Sequence, residues 1–345
     1  MPAGRNGKSV FGLFPEFGNG HVGGIQASGA IAWSAIDRST KADLFLYSNN
    51  GNKNYARLNA LWTALNTKSN HDIVLVWQID LLKLLPFLRH NGKRVVLFLH
   101  GIEAWKSHDW LTRHASRKVD LFLSNSNYTW NRFISHNPIL RDATHQTVGL
   151  GIEGPISGNY IQKPEPTALM IARLARAEDY KGHREVINVW PRVVQQHPGA
   201  KLLIAGGGDL LNDLKQIISA MGMSAHVELL GEVSEDRKQE LLTKSRCLLM
   251  PSRNEGFGLV YLEAMRLGRP CLVSNIDAGR EVVNPPEAGL EVNPDDSIDL
   301  CEGICKLMSD GDGWNELSTR ARRRYESAYT AQHFQERLLS ALFAA

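Results

Sequence analysis

Between Cys247 and Ser274 the chain spells out a strand, a helix and a second strand, and that unit restricts the fold more than any other stretch. An apolar run, Cys247-Leu248-Leu249-Met250, leads into Pro251-Ser252-Arg253-Asn254 and then Glu255-Gly256-Phe257-Gly258. A helical pattern carrying Glu263 follows, then Gly268-Arg269-Pro270, then a second apolar run, Cys271-Leu272-Val273-Ser274. Strands joined through a helix share a sheet in parallel. Glu255 falls in the loop and Glu263 on the second helical turn, with glycines holding the backbone open between them. Carboxylates accept hydrogen bonds from paired hydroxyls, the hallmark of sugars. The helix start beside them suits a phosphate. A ligand with both ends is a nucleotide-sugar.

The same alternation runs through the whole chain. In the first half, strands are expected at Val10–Phe14, Leu44–Tyr47, Ile73–Trp77, Val95–Leu99, Leu121–Ser124 and Gln146–Val148, with helices between them, among them Gln26–Ile36, Asn54–Asn66 and Tyr128–His136. Around Gly154 to Pro166 glycines and three prolines (Pro155, Pro164, Pro166) replace periodicity, which marks a linker. A second series begins with Leu169–Ala172 and continues through Lys201–Ala205, Val227–Leu230, Cys247–Met250 and Cys271–Ser274. At 345 residues the chain exceeds the usual single core. Two Rossmann-like, doubly wound α/β domains facing across a cleft follow, residues 1–155 and 156–324, because such sheets bind ligands at their strand carboxyl ends.

Composition is that of an ordinary globular protein, 43% hydrophobic and 22% charged. No apolar run approaches the roughly 20 residues of a membrane span, and the polar start has no apolar core of signal-peptide length. A cytoplasmic location is therefore expected. Residues 1–150 hold 17 Lys+Arg against 9 Asp+Glu, and residues 151–345 hold 22 against 27. The asymmetry is either incidental or the mark of a basic half that faces a membrane surface or a lipid-diphosphate acceptor. Nucleic acid is not an expected partner. Cys247 and Cys271 lie in apolar runs as buried small hydrophobes. Cys301 and Cys305 stand one helical turn apart with no further ligand to complete a zinc site.

With its flanks, Pro251-Ser252-x-x-Glu255-Gly256-Phe257-Gly258-Leu259-x-x-x-Glu263-Ala264-Met265 resembles the signature of glycosyltransferase family 4, retaining enzymes of GT-B fold. The resemblance implies that Glu263 binds the ribose hydroxyl pair, while Glu255 and the backbone of Gly256, Phe257, Gly258 and Leu259 hold the hexose. It implies that Arg173 and Lys181, at the exit of a strand, grip the donor phosphates. Their charge suits a diphosphate whose own charge grows as the donor bond breaks, so neither a metal nor another cofactor is required. Gly207, in the Gly206-Gly207-Gly208-Asp209 loop, and Gly231-Glu232-Val233 are placed near the nucleoside. Gly23-Gly24, bare amides at a helix start, would close on the donor phosphate. His100, at the end of the Val95–Leu99 strand, would touch the transferred sugar, and Glu103 the sugar or acceptor. A terminal helix, 325–345, would return to the first domain.

Some features invite other readings. In Ala278-Gly279-Arg280-Glu281 the family more often has Gly-Gly, so Ala278 departs from the pattern and puts a donor contact in doubt. Asp310-Gly311-Asp312 has the Asp-x-Asp form of a manganese site, but turn chemistry suffices for it. Trp105 to Lys118 reads as a helix packed by its tryptophans with Lys106, Arg113, Arg117 and Lys118 outside. A membrane-interface role is its rival. Arg322-Arg323-Arg324 reads as a solvated helix face.

Together these features lead us to expect a retaining, metal-independent hexosyltransferase (EC 2.4.1-type). It would move sugar from UDP-glucose, with GDP-mannose second, to a hydroxyl on a glycan or lipid-linked acceptor in bacterial polysaccharide or glycolipid synthesis. The alternatives are a sugar-nucleotide hydrolase or epimerase of the same fold and a non-catalytic glycan-binding homologue. A nicotinamide dehydrogenase is disfavoured, because neither glycine loop has the dinucleotide spacing.

Overall fold

The structure is a computed structural model that describes residues 7–17, 23–47, 71–88, 93–154, 164–311 and 313–344. The expected helix at 54–66, most of the linker and Asp312 lie outside the described residues. The chain divides into two compact units, Met1–Ile152 with Thr330–Ala345, and Glu153–Tyr329.

Among the described residues the first unit holds six parallel strands: β1 (Val10–Pro15), β2 (Ala42–Tyr47), β3 (Ile73–Val76), β4 (Arg94–Leu99), β5 (Leu121–Ser124) and β6 (His145–Thr147). Their order is β2-β1-β3-β4-β5-β6. In β3 and β5 every residue is buried, as befits central parallel strands covered on both faces. The edge strand β2 is only partly covered.

The second unit holds β7 (Thr167–Ile171), β8 (Lys201–Ala205), β9 (Val227–Gly231), β10 (Cys247–Met250), β11 (Cys271–Ser274) and β12 (Gly289–Val292). They run in the order β12-β11-β10-β7-β8-β9, again all parallel. The winding direction reverses between β1 and β3 in one sheet and between β7 and β10 in the other. At such a point the loops leave in opposite directions and open a crevice at the strand carboxyl ends. All four cysteines are buried, Cys301 and Cys305 in the same core as Trp190 and Leu300.

Four elements differ from the sequence expectation. The strand β12 was not anticipated, because Gly-Leu-Glu-Val is short and broken by a charge. Gly289 is nonetheless demanded by the pairing, since a Cβ there would sit 1.9 Å from the Cys271 carbonyl oxygen. The terminal helix is Ala331–Phe343 rather than 325–345, because Thr330 is extended and accepts the His333 N–H at 3.3 Å as an N-cap. It packs on the Gly24–Ser39 helix of the first unit.

Arg324 belongs to the preceding Gly313–Ala328 helix and is not a solvated face residue. Its guanidinium donates to the carbonyls of Val282 and Glu281 and pairs with Glu287 at 2.7 Å. Between 105 and 118 only Trp110–Ser116 is α-helical, started by Asp109, which accepts the Thr112 N–H. Trp105 is buried, but Trp110 is 70% exposed and stacks on His114, so the helix is not packed by both tryptophans.

Candidate active site

The reversal point of the second sheet gathers charge. Two loops meet there, one leaving β7 and one leaving β10. Gly182, at φ +86°, lets them touch, because any Cβ would lie 2.8 Å from the Pro251 carbonyl oxygen. Beside it the Arg253 N–H donates to the Tyr180 carbonyl at 3.0 Å. This close crossing sets Lys181 Nζ 3.3 Å from a Glu255 carboxylate oxygen, although 74 residues separate them in sequence.

Glu178 joins the same cluster. Its carboxylate pairs with Arg173 and lies 3.8 Å from Lys181. Burial pulls the Lys181 ammonium down, but Glu255, Tyr180 and Glu178 outweigh it and hold its pKa above the ordinary lysine value. Lys181 therefore stays cationic at neutral pH. Arg173 is mostly exposed, so its guanidinium is open to an incoming anion.

The Glu255 loop is fixed from the other side as well. Asp277, almost fully buried, accepts the Glu255 N–H at 3.0 Å on one oxygen and the Gly279 N–H at 2.9 Å on the other. The Ala278 N–H returns a bond to the Glu255 carbonyl at 3.1 Å. Beyond the loop, Gly258 (φ +82°) starts the Leu259–Arg266 helix without a side-chain cap, leaving first-turn N–H groups as donors. A Cβ at Gly258 would strike Tyr261 at 2.4 Å. Phe257 is buried and meets Tyr329 edge to face. Gly256 lies in the loop between Glu255 and Phe257.

Glu263 forms a second pair. Lys238, from the Glu235–Lys244 helix, stands 2.9 Å from its carboxylate and 2.8 Å from that of Glu235. Burial raises the Glu263 carboxyl above its usual pKa, and the Lys238 ammonium opposes that rise.

Around β8 the glycines divide by cause. Gly206 and Gly208 are required by packing, since their Cβ atoms would fall 1.7 Å from the Ala172 carbonyl and 2.3 Å from that of Leu174. Gly207 instead faces Glu232, whose Cβ lies 3.5 Å from where its own would be. Gly231 ends β9 with its carbonyl accepting the Gly206 N–H at 2.7 Å, and Val233 follows in the loop.

In the first unit a single tryptophan organises the expected residues. Trp77, just past β3, donates its indole N–H to the Ile25 carbonyl at 3.0 Å and so holds the helix that begins at Gly24 after Gly23. Its own carbonyl lies 2.7 Å from His100 Nε2. A carbonyl only accepts, so Nε2 carries the proton and Nδ1 is left as an acceptor. That Nδ1 is buried with no partner among the described residues. Burial pushes the imidazole down to about 3, so it is neutral at physiological pH. Glu103 accepts the backbone N–H groups of His100 and Gly101 at 2.7 and 3.1 Å. It braces the turn through one carboxylate oxygen.

Sequence reasoning missed Glu178, Asp277 and Lys238. Each acts through a partner distant in sequence or across a kinked turn. Asp277 directly precedes the Ala278-Gly279 departure, the one signal that pointed its way.

Residues 158–324 match the family described as "Glycosyl transferases group 1". The second unit carries a glycosyltransferase group 1 domain. An uncharacterized glycosyltransferase of Methanocaldococcus jannaschii is 31% identical over 150 residues, 44% of this chain and 37% of that protein. The GDP-mannose-dependent alpha-(1-6)-phosphatidylinositol monomannoside mannosyltransferase of Mycobacterium tuberculosis is 26% identical over 71% of this chain and 69% of its own length. Thus the match to the archaeal relative spans little more than a third of that protein, and the match to the mycobacterial one about two thirds. Among solved structures, Anabaena HepE in complex with UDP and glucose superposes with a TM-score of 0.75 at 15% identity, covering 98% of this chain and all of that one. Among the described residues, the two six-stranded parallel sheets are thus those of the GT-B fold, as the sequence led us to expect. Among the described residues no helix is long and apolar enough to cross a membrane.

Proposed function

We propose that this chain is a retaining, metal-independent hexosyltransferase using a nucleoside diphosphate sugar, UDP-glucose before GDP-mannose. Its acceptor would be a hydroxyl on a glycan or lipid-linked saccharide. The observation that carries the reading is the Lys181–Glu255 pair at the reversal point of the second sheet, flanked by the open guanidinium of Arg173. A cation and a carboxylate in contact there match the two ends of the ligand, phosphate and sugar hydroxyl.

In this reading the acceptor oxygen forms its bond to the anomeric carbon on the face from which the diphosphate departs. The electron pair of the breaking C–O bond goes to the diphosphate, whose oxygen takes the acceptor proton. Arg173 and Lys181 stabilise the charge that develops, and the first-turn amides beside Leu259 add to it. Glu263, oriented by Lys238, accepts the ribose hydroxyls, with Gly207 and the 231–233 segment lining the nucleoside. Glu255 and the Gly256–Gly258 backbone take the hexose. His100, neutral, offers Nδ1 as a hydrogen-bond acceptor rather than acting as an acid. The helix start at Gly23 and Gly24 is an anion-facing set of amides. The UDP and glucose named with HepE support a uridine donor, and the mycobacterial relative's name supports the mannose alternative. Polysaccharide or glycolipid synthesis at the inner membrane face is the setting proposed.

A thermal-shift panel of UDP, GDP, their glucose and mannose derivatives, and matched nucleoside monophosphates tests this. Selective stabilisation by one diphosphate series is expected, unchanged by EDTA. Equal response to every nucleotide, or loss with chelator, contradicts it.

A further inference from the structure

We infer that Asp277 is the positioning residue of the sugar subsite: it locks the Glu255 loop in its working geometry through the paired hydrogen bonds its carboxylate accepts. The inference rests on the donor reading above and adds a residue that the sequence signature does not contain.

Three bonds close a small ring. Asp277 takes the Glu255 N–H on one oxygen and the Gly279 N–H on the other, while the Glu255 carbonyl takes the Ala278 N–H. Glu255 is thereby held from its own backbone, and its side chain is left to reach Lys181. The ring also needs Gly279. A Cβ there would lie 2.8 Å from the Tyr261 hydroxyl and 3.1 Å from an Asp277 carboxylate oxygen. Tyr261 is pinned in turn, donating to the Met250 carbonyl at 3.1 Å. The 277–279 segment therefore acts on the donor through Glu255, which accounts for the tolerance of Ala278 where a second glycine is commoner.

Titratable groups face Asp277 from two elements: Glu255 from the loop after β10 and Tyr261 from the Leu259–Arg266 helix. No lysine or arginine pairs with it among the described residues. Burial, reinforced by the Glu255 charge, pushes its carboxyl up to about 7. Protonation converts one accepting oxygen into a donor that faces an N–H, so one bond of the ring is lost as the pH falls.

The test uses release of nucleoside diphosphate from UDP-glucose and GDP-mannose, with water as acceptor. It is run on wild type and Asp277→Asn, beside UDP and GDP affinity by calorimetry. The expected results are about ten-fold lower turnover in the variant, the scale of one lost hydrogen bond to a charged group, with diphosphate affinity changed less than about two-fold. Wild-type turnover is expected to fall as the pH drops through about 7, and the variant to lack that step. A folded variant with wild-type turnover, or with the same step, overturns the inference. If the variant does not fold, a flat wild-type profile across that range overturns it. Absence of any UDP or GDP binding to wild type overturns instead the donor reading on which it rests.

Discussion

The carboxyl ends of the two sheets share a winding plan but not a chemistry. In the first, His100 stacks on Phe98 at 4.6 Å and leans on Trp77 at 5.0 Å, tied by one side-chain hydrogen bond. In the second, Arg173, Glu178, Lys181 and Glu255 form a chain of ion pairs, with Lys238 and Glu263 as a further pair. Around His100 the first end offers an aromatic wall and one imidazole acceptor. An ionic end can exchange partners, because an entering anion substitutes for a carboxylate it resembles. The parallel-sheet plan thus supplies a place, and the loop residues decide whether it is a wall or a charge reservoir.

The sharpest attack on that contrast is Lys181→Met. It is expected to lower donor turnover by about 10²- to 10³-fold, the range for removing one donor from a developing anion. Single-turnover kinetics on UDP-glucose measure this, and a loss under ten-fold would mean the ion-pair chain is structural. Glu263→Gln should weaken UDP or GDP by about ten-fold, since an amide accepts with one oxygen where the carboxylate has two. Calorimetry checks it, and unchanged affinity would remove the ribose assignment.

The smallest effect lies in acid stability. Burial depresses His100 to about 3 from an unfolded value near 6.5, so between these limits the folded chain binds fewer protons than the unfolded one. Its contribution is complete above about pH 6.5 and is lost as the pH falls toward 3. His183, buried in the second unit and lowered to about 4 by burial and then by Lys181, has the same sign. Urea unfolding at about pH 7 and 5 should show His100→Phe less acid-sensitive than wild type, by at most about 1.4 kcal/mol per pH unit. Equal sensitivity would show that the histidine does not register its apolar surroundings.

The sheets were legible because buried parallel strands are written as unbroken apolar runs: Ile73–Val76 and Cys247–Met250 need no context to be read. Lys181, Glu255 and Glu263 were singled out because their flanking residues resemble a family signature. The braces were not. Asp277 meets Glu255 across 22 residues and Lys238 meets Glu263 across 25, and no periodicity encodes such pairs. The break before Ala331 depends on a threonine whose capping is set by one dihedral. Arg324 looked solvated because the two carbonyls and the Glu287 carboxylate that it bonds lie 37 to 43 residues away in sequence.

The contact at Gly182 has an engineering consequence. Because bare backbone there abuts Pro251, the spacing of the two loops that carry the cation and the carboxylate is set by main-chain geometry. Redesign of the surrounding side chains can thus retune what the pocket prefers while its gauge stays fixed. A single methyl group at 182 would reset that gauge for every ligand at once.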